Sequence, residues 1–182
     1  MLSHDEAWQV LRSSERIVTA DAIRSTLTRL AAEIGAKVGS RTPLVLTVMG
    51  GAVVFSGQLL PLLGFPLEVD YVHVTRYRDT TRGGTLEWKV RPRVSVHGRT
   101  VLVLDDILDE GITLAAIRDG LLADGAQEVH CAVFADKSIG RGKPIAADFV
   151  GVTLPDRYVF GFGMDVQGAW RNLPEIYALR ER

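Results

Sequence analysis

The chain of 182 residues has the length of one compact domain and is long enough to bury a core of its own. Lys and Arg number 21 against 22 Asp and Glu, a formal net charge of -1, so no whole-molecule field exists to hold a nucleic acid or an anionic membrane. Hydrophobic content of 47% with 24% charged residues excludes a disordered, collagenous or coiled-coil chain, while the 18 glycines exceed the roughly 13 of an average composition.

Ser3 and Glu6 stand at capping-box spacing ahead of Ala7, Val10 and Leu11 and predict a short opening helix. The first residues, Met1 to Glu6, have neither the basic start nor the apolar stretch of a signal peptide, and the lone cysteine, Cys131, has no partner for an internal disulfide; both predict a cytoplasmic protein. Ile23, Leu27, Leu30, Ile34 and Val38 recur at helical steps up to a stop at Gly39. Leu44 to Val48 reads as a strand covered on both faces, followed by Gly50-Gly51 and a helix from about Ala52 to Leu60. Thr42 to Leu67 contains no charged residue and is long enough to span a bilayer, but its glycines and prolines divide it into strand, turn and helix, so no membrane partner is expected. Leu67 to Val74 makes a second strand.

The segment 75–98 differs, with Arg76, Arg78, Arg82, Lys89, Arg91 and Arg93 set against only Asp79 and Glu87, and it holds a Gly83-Gly84 pair. An excursion of this length is functional or mobile, with a small hairpin predicted around Thr85 to Val90. Beyond it come a strand at Thr100 to Leu104, an acidic turn, a helix from about Thr113 to Ala123, and strands at Val129 to Phe134, Phe149 to Val152 and Tyr158 to Phe160. Apolar strands alternating with helices predict an α/β fold, a mostly parallel sheet flanked by helices. No internal repeat is present.

The most informative stretch is Val101-Leu102-Val103-Leu104-Asp105-Asp106-Ile107-Leu108-Asp109-Glu110-Gly111-Ile112-Thr113-Leu114. In an open parallel sheet ligands bind beyond the carboxyl ends of strands, and the helix that follows presents unpaired N–H groups to an anion. Gly111 closes the turn and Thr113 offers a hydroxyl to the same anion. The acidic pair Asp105-Asp106 has the chemistry to accept hydrogen bonds from a sugar diol or to hold Mg²⁺, a hard ion that bridges carboxylates and phosphates.

Residues 101–114 resemble the phosphoribosyl-pyrophosphate motif of the type I phosphoribosyltransferases, and nearly the whole chain is similar to the hypoxanthine-guanine members of that family. The resemblance implies their fold: a core of about 15–155, a small hood from the N-terminal segment and about 156–182, and a mobile loop of about 75–98. It implies that Asp105, Asp106, Asp109, Glu110, Gly111, Ile112 and Thr113 bind the ribose phosphate, that Met49 and Gly50 with Arg171 bind pyrophosphate, and that Asp105, Asp106 and Asp165 hold Mg²⁺. Lys137 then reads the 6-oxo group of a purine, Tyr158 stacks on its ring, and main chain near Val159 reads its edge. Arg76-Tyr77 matches a Ser-Tyr pair on the mobile loop, and Glu110 stands where many relatives have threonine; both are departures from the family pattern. Read alone, Lys137 and Arg171 are surface residues and Tyr158 to Phe160 is a core strand.

The implied reaction is transfer of ribose 5-phosphate from phosphoribosyl pyrophosphate to N9 of hypoxanthine or guanine, giving the nucleoside monophosphate and pyrophosphate, with Asp109 as general base. The expected partners are these small molecules, with no nucleic acid, and the expected assembly is a homodimer or homotetramer. A non-catalytic sensor of phosphoribosyl pyrophosphate on the same fold is the alternative. A phosphoacceptor receiver domain also uses an acidic pair, a further Asp and a Lys after a strand, but its acidic pair lies near the N-terminus. The four histidines have no metal-ligand spacing.

Overall fold

Capping signals and apolar runs become elements close to where the sequence sets them, over residues 2–76 and 86–180, which the computed structural model describes. Helix α1 (His4–Ser13) carries the capping box in full: Ser3 accepts from the Glu6 N–H at 3.3 Å and Glu6 from the Ser3 N–H at 2.7 Å. Strand β1 (Glu15–Val18) leads into α2 (Ala20–Val38), whose Ile23, Leu27, Leu30, Ile34 and Val38 are all buried. There follow β2 (Leu44–Met49), α3 (Val53–Leu59) with a 3-10 turn at Leu60–Leu62, β3 (Glu68–Arg76) and β4 (Leu86–Val90). The remainder is β5 (Thr100–Leu108), α4 (Ile112–Ala123), β6 (Glu128–Ser138), β7 (Phe149–Pro155), β8 (Val159–Phe160) and β9 (Ile176–Ala178).

The main sheet has the order β4-β3-β2-β5-β6-β7, with β4 antiparallel to β3 and every other pair parallel. Successive side chains leave a strand on opposite faces. Val45, Leu102, Leu104 and Phe134 accordingly pack with Phe55 and Leu59 of α3 and with α2, whereas Leu44, Leu46, Val101, Val103 and Val133 pack with Leu114, Ile117 and Leu121 of α4. From β2 the chain proceeds to β3 on one side and returns to β5 on the other. The boundary between β2 and β5 is therefore a topological switch point, where a crevice opens at the carboxyl ends of the strands.

A second sheet, β1-β9-β8, is antiparallel and joins the two ends of the chain. Trp170 packs on Trp8 of α1 with ring centroids 5.0 Å apart and donates from Nε1 to the Ala7 carbonyl at 2.8 Å. Phe162 lies 4.5 Å from Phe134, centroid to centroid, and fastens the segment after β8 to the core.

Several boundaries differ from the sequence reading. Asp105 and Asp106 lie within β5, which runs on to Leu108, so the acidic turn starts only at Asp109. Asp136 and Lys137 likewise belong to β6. Both strands outrun their apolar cores because neighbouring parallel strands continue to pair with them, as far as Leu108↔Asp136 and Ser138↔Pro155. Residues 86–90 form no hairpin of their own but pair back onto β3, Arg76 with Leu86. Glu15–Val18, assigned to the core from sequence, is a strand of the second sheet, held by β9, which had no sequence signal long enough to read.

The chain that returns from β4 is pinned by Asp70, whose side chain is 1% exposed. Asp70 accepts from the backbone N–H groups of Tyr71 at 2.9 Å, Arg93 at 2.6 Å and Val94 at 3.2 Å. Burial by itself raises this carboxyl, but those bonds and the Arg93 guanidinium outweigh it and hold Asp70 below its ordinary value of 3.8. A carboxyl depressed on folding contributes stability above its unfolded value and loses it as pH falls through the folded one. Asp70→Ala is expected to cost about 1–3 kcal/mol at pH 7 by stranding backbone donors. In urea melts the difference from wild type should shrink as pH drops below 3.8; a difference independent of pH would contradict this account.

Candidate active site

The carboxyl ends of β2 and β5 and the N-terminus of α4 enclose a cavity of about 330 Å³ lined by Met49, Gly50, Gly51, Asp105, Asp106, Asp109, Glu110, Gly111, Thr113, Asp165 and Arg171, among others. A second compartment, about 240 Å³, is lined by Asp106, Ile107, Asp109, Lys137, Tyr158, Val159, Met164, Asp165 and Arg171. Shared lining residues make them two halves of one cleft between the sheets, on the scale of the roughly 300–1,000 Å³ of small-ligand pockets. The side chain of Ile112 lines neither half and is exposed. Arg76 ends β3, with its side chain outside the described residues, as is the whole of Tyr77.

The end of β5 departs from a regular strand. Val103 and Leu108 face α4 while Leu104 and Ile107 face α3, so the alternation slips by one residue across Asp105-Asp106. The acids satisfy the backbone there themselves: Asp106 N donates to Asp105 Oδ1 at 3.0 Å and Ile107 N to Asp106 Oδ1 at 2.8 Å. Irregular strand ends of this kind re-aim side chains beside binding sites. Burial pushes the Asp105 carboxyl well above the usual carboxylate range, and the adjacent Asp106 charge adds to the shift. Burial raises Asp106 as well, against the Ile107 N–H bond and the Arg171 charge.

Gly51 is fixed by this arrangement, because a Cβ there would lie 1.8 Å from Asp106 Oδ2. On the other side, a Cβ at Gly163 would lie 2.1 Å from the Gly51 carbonyl oxygen, so the β2–α3 turn is clasped between β5 and the segment after β8. The Met49–Gly50 peptide in this turn is cis. Gly111 caps α4 at φ +80, a conformation that side chains disfavour, and has no side chain to cap the helix. Gly111, Thr113 and Leu114 at the start of α4 line the first compartment, and a helix N-terminus favours an anion.

Asp109 and Lys137, on adjacent strand ends, form an ion pair, Lys137 Nζ donating to Asp109 Oδ2 at 3.3 Å. Tyr158 is 52% exposed, its ring in the second compartment and its hydroxyl donating to the Asp165 carbonyl at 3.2 Å. Glu110 pairs with Arg141 at 2.6 Å. Asp165 accepts from Gly168 N at 2.7 Å and pairs with Arg171, which donates to the Gly163 carbonyl at 2.6 Å. Cys131 is buried, its thiol pushed up to about 12 by desolvation, and is inert.

Among the described residues no three His, Cys, Asp or Glu side chains gather as metal ligands; Asp165 lines the cleft with Asp105 and Asp106 while its carboxylate is engaged by Gly168 N and Arg171. Mg²⁺ is more often held by one or two carboxylates together with substrate phosphates, and for that arrangement the vicinal oxygens of Asp105 and Asp106 are suitable donors. Sequence reasoning gave no role to Met164, which lines the second compartment, or to Gly163, which packs against the Gly51 backbone; Gly51 itself was read with Met49 and Gly50 as part of the turn that resembles a pyrophosphate loop. Among the described residues no helix is long and apolar enough to cross a membrane.

An open α/β sheet with an acidic strand end and an uncapped helix at its switch point is the frame of a nucleotide-handling enzyme, and residues 13–168 match the phosphoribosyl transferase domain. The chain belongs to that family. Within it, the chain is 32% identical to the hypoxanthine-guanine-xanthine phosphoribosyltransferase of Tritrichomonas foetus over 169 residues, 92% of each chain. It superposes on a hypoxanthine phosphoribosyltransferase of Staphylococcus aureus with a TM-score of 0.88 at 25% identity, covering 93% of this chain and 94% of that one. It is also 34% identical to the bifunctional protein TilS/HprT of Listeria innocua over 90% of its own length, although it spans only 26% of that protein.

Gly51→Ala is expected to displace Asp106 or the turn and to lower stability by about 1–3 kcal/mol, the cost of overpacking. A thermal melt superimposable on wild type would show that the clasp is looser than described.

Proposed function

We propose that the protein transfers ribose 5-phosphate from phosphoribosyl pyrophosphate to N9 of a 6-oxopurine, hypoxanthine or guanine, releasing pyrophosphate. The observation that supports this reading is the Asp109–Lys137 pair at 3.3 Å, in which Asp109 lines both compartments and Lys137 lines the one that holds Tyr158. The N–H groups at Gly111 to Thr113, with the Thr113 hydroxyl, cradle the 5-phosphate, and Asp105 and Asp106 orient the ribose hydroxyls. The Met49-Gly50 turn and Arg171 face the pyrophosphate. A lysine ammonium only donates hydrogen bonds, so Lys137 accepts a 6-oxo group and rejects a 6-amino group. Tyr158 stacks on the purine, and main chain near Val159 reads its edge.

As the N9–C1 bond forms, Asp109 takes the proton from N7, and it returns that proton in the reverse direction. Asp105 and Asp106, with Asp165 in the same cleft, would hold Mg²⁺, which would offset the negative charge of the leaving pyrophosphate. The second sheet serves as the hood over the base; the loop expected at 75–98, with Arg76 and Tyr77, falls in part on residues 77–85, which lie outside the described residues. The same reading makes the protein a cytoplasmic homodimer or homotetramer, for which Val53, Leu62 and Val69 are exposed apolar side chains to cover.

The test is pyrophosphate release from phosphoribosyl pyrophosphate and Mg²⁺ with each purine separately. Turnover is expected with hypoxanthine and guanine and not with adenine; binding without turnover on any base would favour a sensor. Asp109→Asn should lose about 10²-fold or more in kcat, the scale of general-base catalysis, and still bind phosphoribosyl pyrophosphate in calorimetry. Unchanged turnover would take Asp109 out of that role.

A further inference from the structure

We propose that Lys143 is a positioning residue that sets the spacing of Asp109 and Lys137, an inference that rests on the function proposed above. Lys143 lies on the connection between β6 and β7, in Gly140-Arg141-Gly142-Lys143-Pro144, a sequence that by itself reads as an ordinary solvated loop. Its side chain is only 13% exposed. An ammonium has three donors, and Lys143 places all three: on the Leu108 carbonyl at 2.7 Å, the Lys137 carbonyl at 2.6 Å and Asp136 Oδ1 at 2.5 Å. With its donors saturated, and lining neither half of the cleft, Lys143 acts through the groups that it holds.

Those acceptors are the ends of the two strands that bear the ion pair. Leu108 is the last residue of β5 and immediately precedes Asp109, while Lys137 is held by its own carbonyl. The β5·β6 ladder ends at Leu108↔Asp136, and there the Lys143 ammonium joins the two strands through backbone carbonyls, beside the side-chain pair of Asp109 and Lys137. Neighbouring side chains on a strand point to opposite faces. Asp136 meets Lys143 on the side of Leu108 and Ile145, whereas Lys137 enters the Tyr158 compartment and meets Asp109. Lys143 thus occupies the carboxylate next to Lys137 in sequence and leaves the Lys137 ammonium to Asp109 and the base. A displacement near 1 Å at a reacting group costs up to about 10²-fold in rate, so a clamp on these two strand ends bears directly on turnover and on the choice of base.

Removing one member of a partly buried charge cluster lowers stability whatever its role, so the experiment must read more than folding. Lys143→Met keeps the apolar stem and removes the donors; Lys143→Arg keeps the charge. Both full-length variants are to be assayed with hypoxanthine and with adenine over a pH series, with the folded fraction fixed by circular dichroism. Lys143→Met is expected to raise KM for hypoxanthine and lower kcat by about tenfold each, to narrow the preference for hypoxanthine over adenine, and to shift the pH profile, with Lys143→Arg recovering part of each change. A folded Lys143→Met with unmoved KM, base preference and pH profile would overturn the proposal, whether or not its melting temperature falls. Should Lys143→Met not fold, Asp136→Asn, which weakens one of the three contacts, is expected to move KM and base preference the same way by a smaller factor, and no movement would likewise overturn it. A wild-type chain inactive on every base would remove the proposed function and this role with it, whereas active wild type beside an unaffected variant removes this role alone.

Discussion

Two adjacent carboxyl groups at the end of a core strand are unfavourable in a folded protein unless something at that place takes up their charge or their hydrogen bonds. Asp105 and Asp106 are in that position, and much of the surrounding structure is arranged around them. Their own oxygens cap the backbone where the β5 alternation slips, Arg171 approaches Asp106 from the segment after β8, and the Gly51 backbone closes on the Asp106 carboxylate. The residual repulsion is a reason for the site to accept a cation or a diol. A hydroxyl-rich sugar bearing phosphates supplies hydrogen-bond donors for these carboxylates and an anion for the end of α4.

The cleft exists because two sheets meet over that strand end. Phe134 packs between Phe55 of α3 and Phe162, and these edge-on and tilted ring contacts join the core to the segment that holds Met164 and Asp165. The Gly51 to Gly163 approach ties the same segment to the β2–α3 turn. Tyr158 and Lys137 then line one compartment from distant segments, and Asp109 lines both compartments. Trp170 joins α1 to this assembly, so residues from both ends of the chain support one wall.

The near-zero net charge argues against long polyanionic partners and leaves short ones open. Locally the cleft presents Arg171 and the start of α4, and the total conceals this because the acids of the β5 end balance the bases elsewhere. Paired side chains shape the local field further: Glu110 is engaged by Arg141, and Asp165 by Arg171. The glycine surplus falls partly on the same ground, where Gly51 and Gly111 let backbone approach a carboxylate or turn into a helix.

The sequence by itself determined the α/β class, the order of the major elements and the acidic strand end, since these depend on local patterns: apolar runs for strands covered on both faces, helical spacing from Ile23 to Val38, and four acids ahead of Gly111. Its resemblance to phosphoribosyltransferases pointed to Lys137, Tyr158 and Arg171, which their own neighbourhoods describe as surface or core. Only the tertiary structure decided that β5 continues through Asp105-Asp106 and β6 through Lys137, because strand length there is set by pairing with neighbours. It also brought Glu15–Val18 to Ile176–Ala178, placed Lys143 across two strand ends, and paired Asp165 with Gly168 N and Arg171. These are contacts between residues far apart in the chain, and no local pattern encodes them, because a short strand or a lone lysine acquires its role only from the surface packed against it.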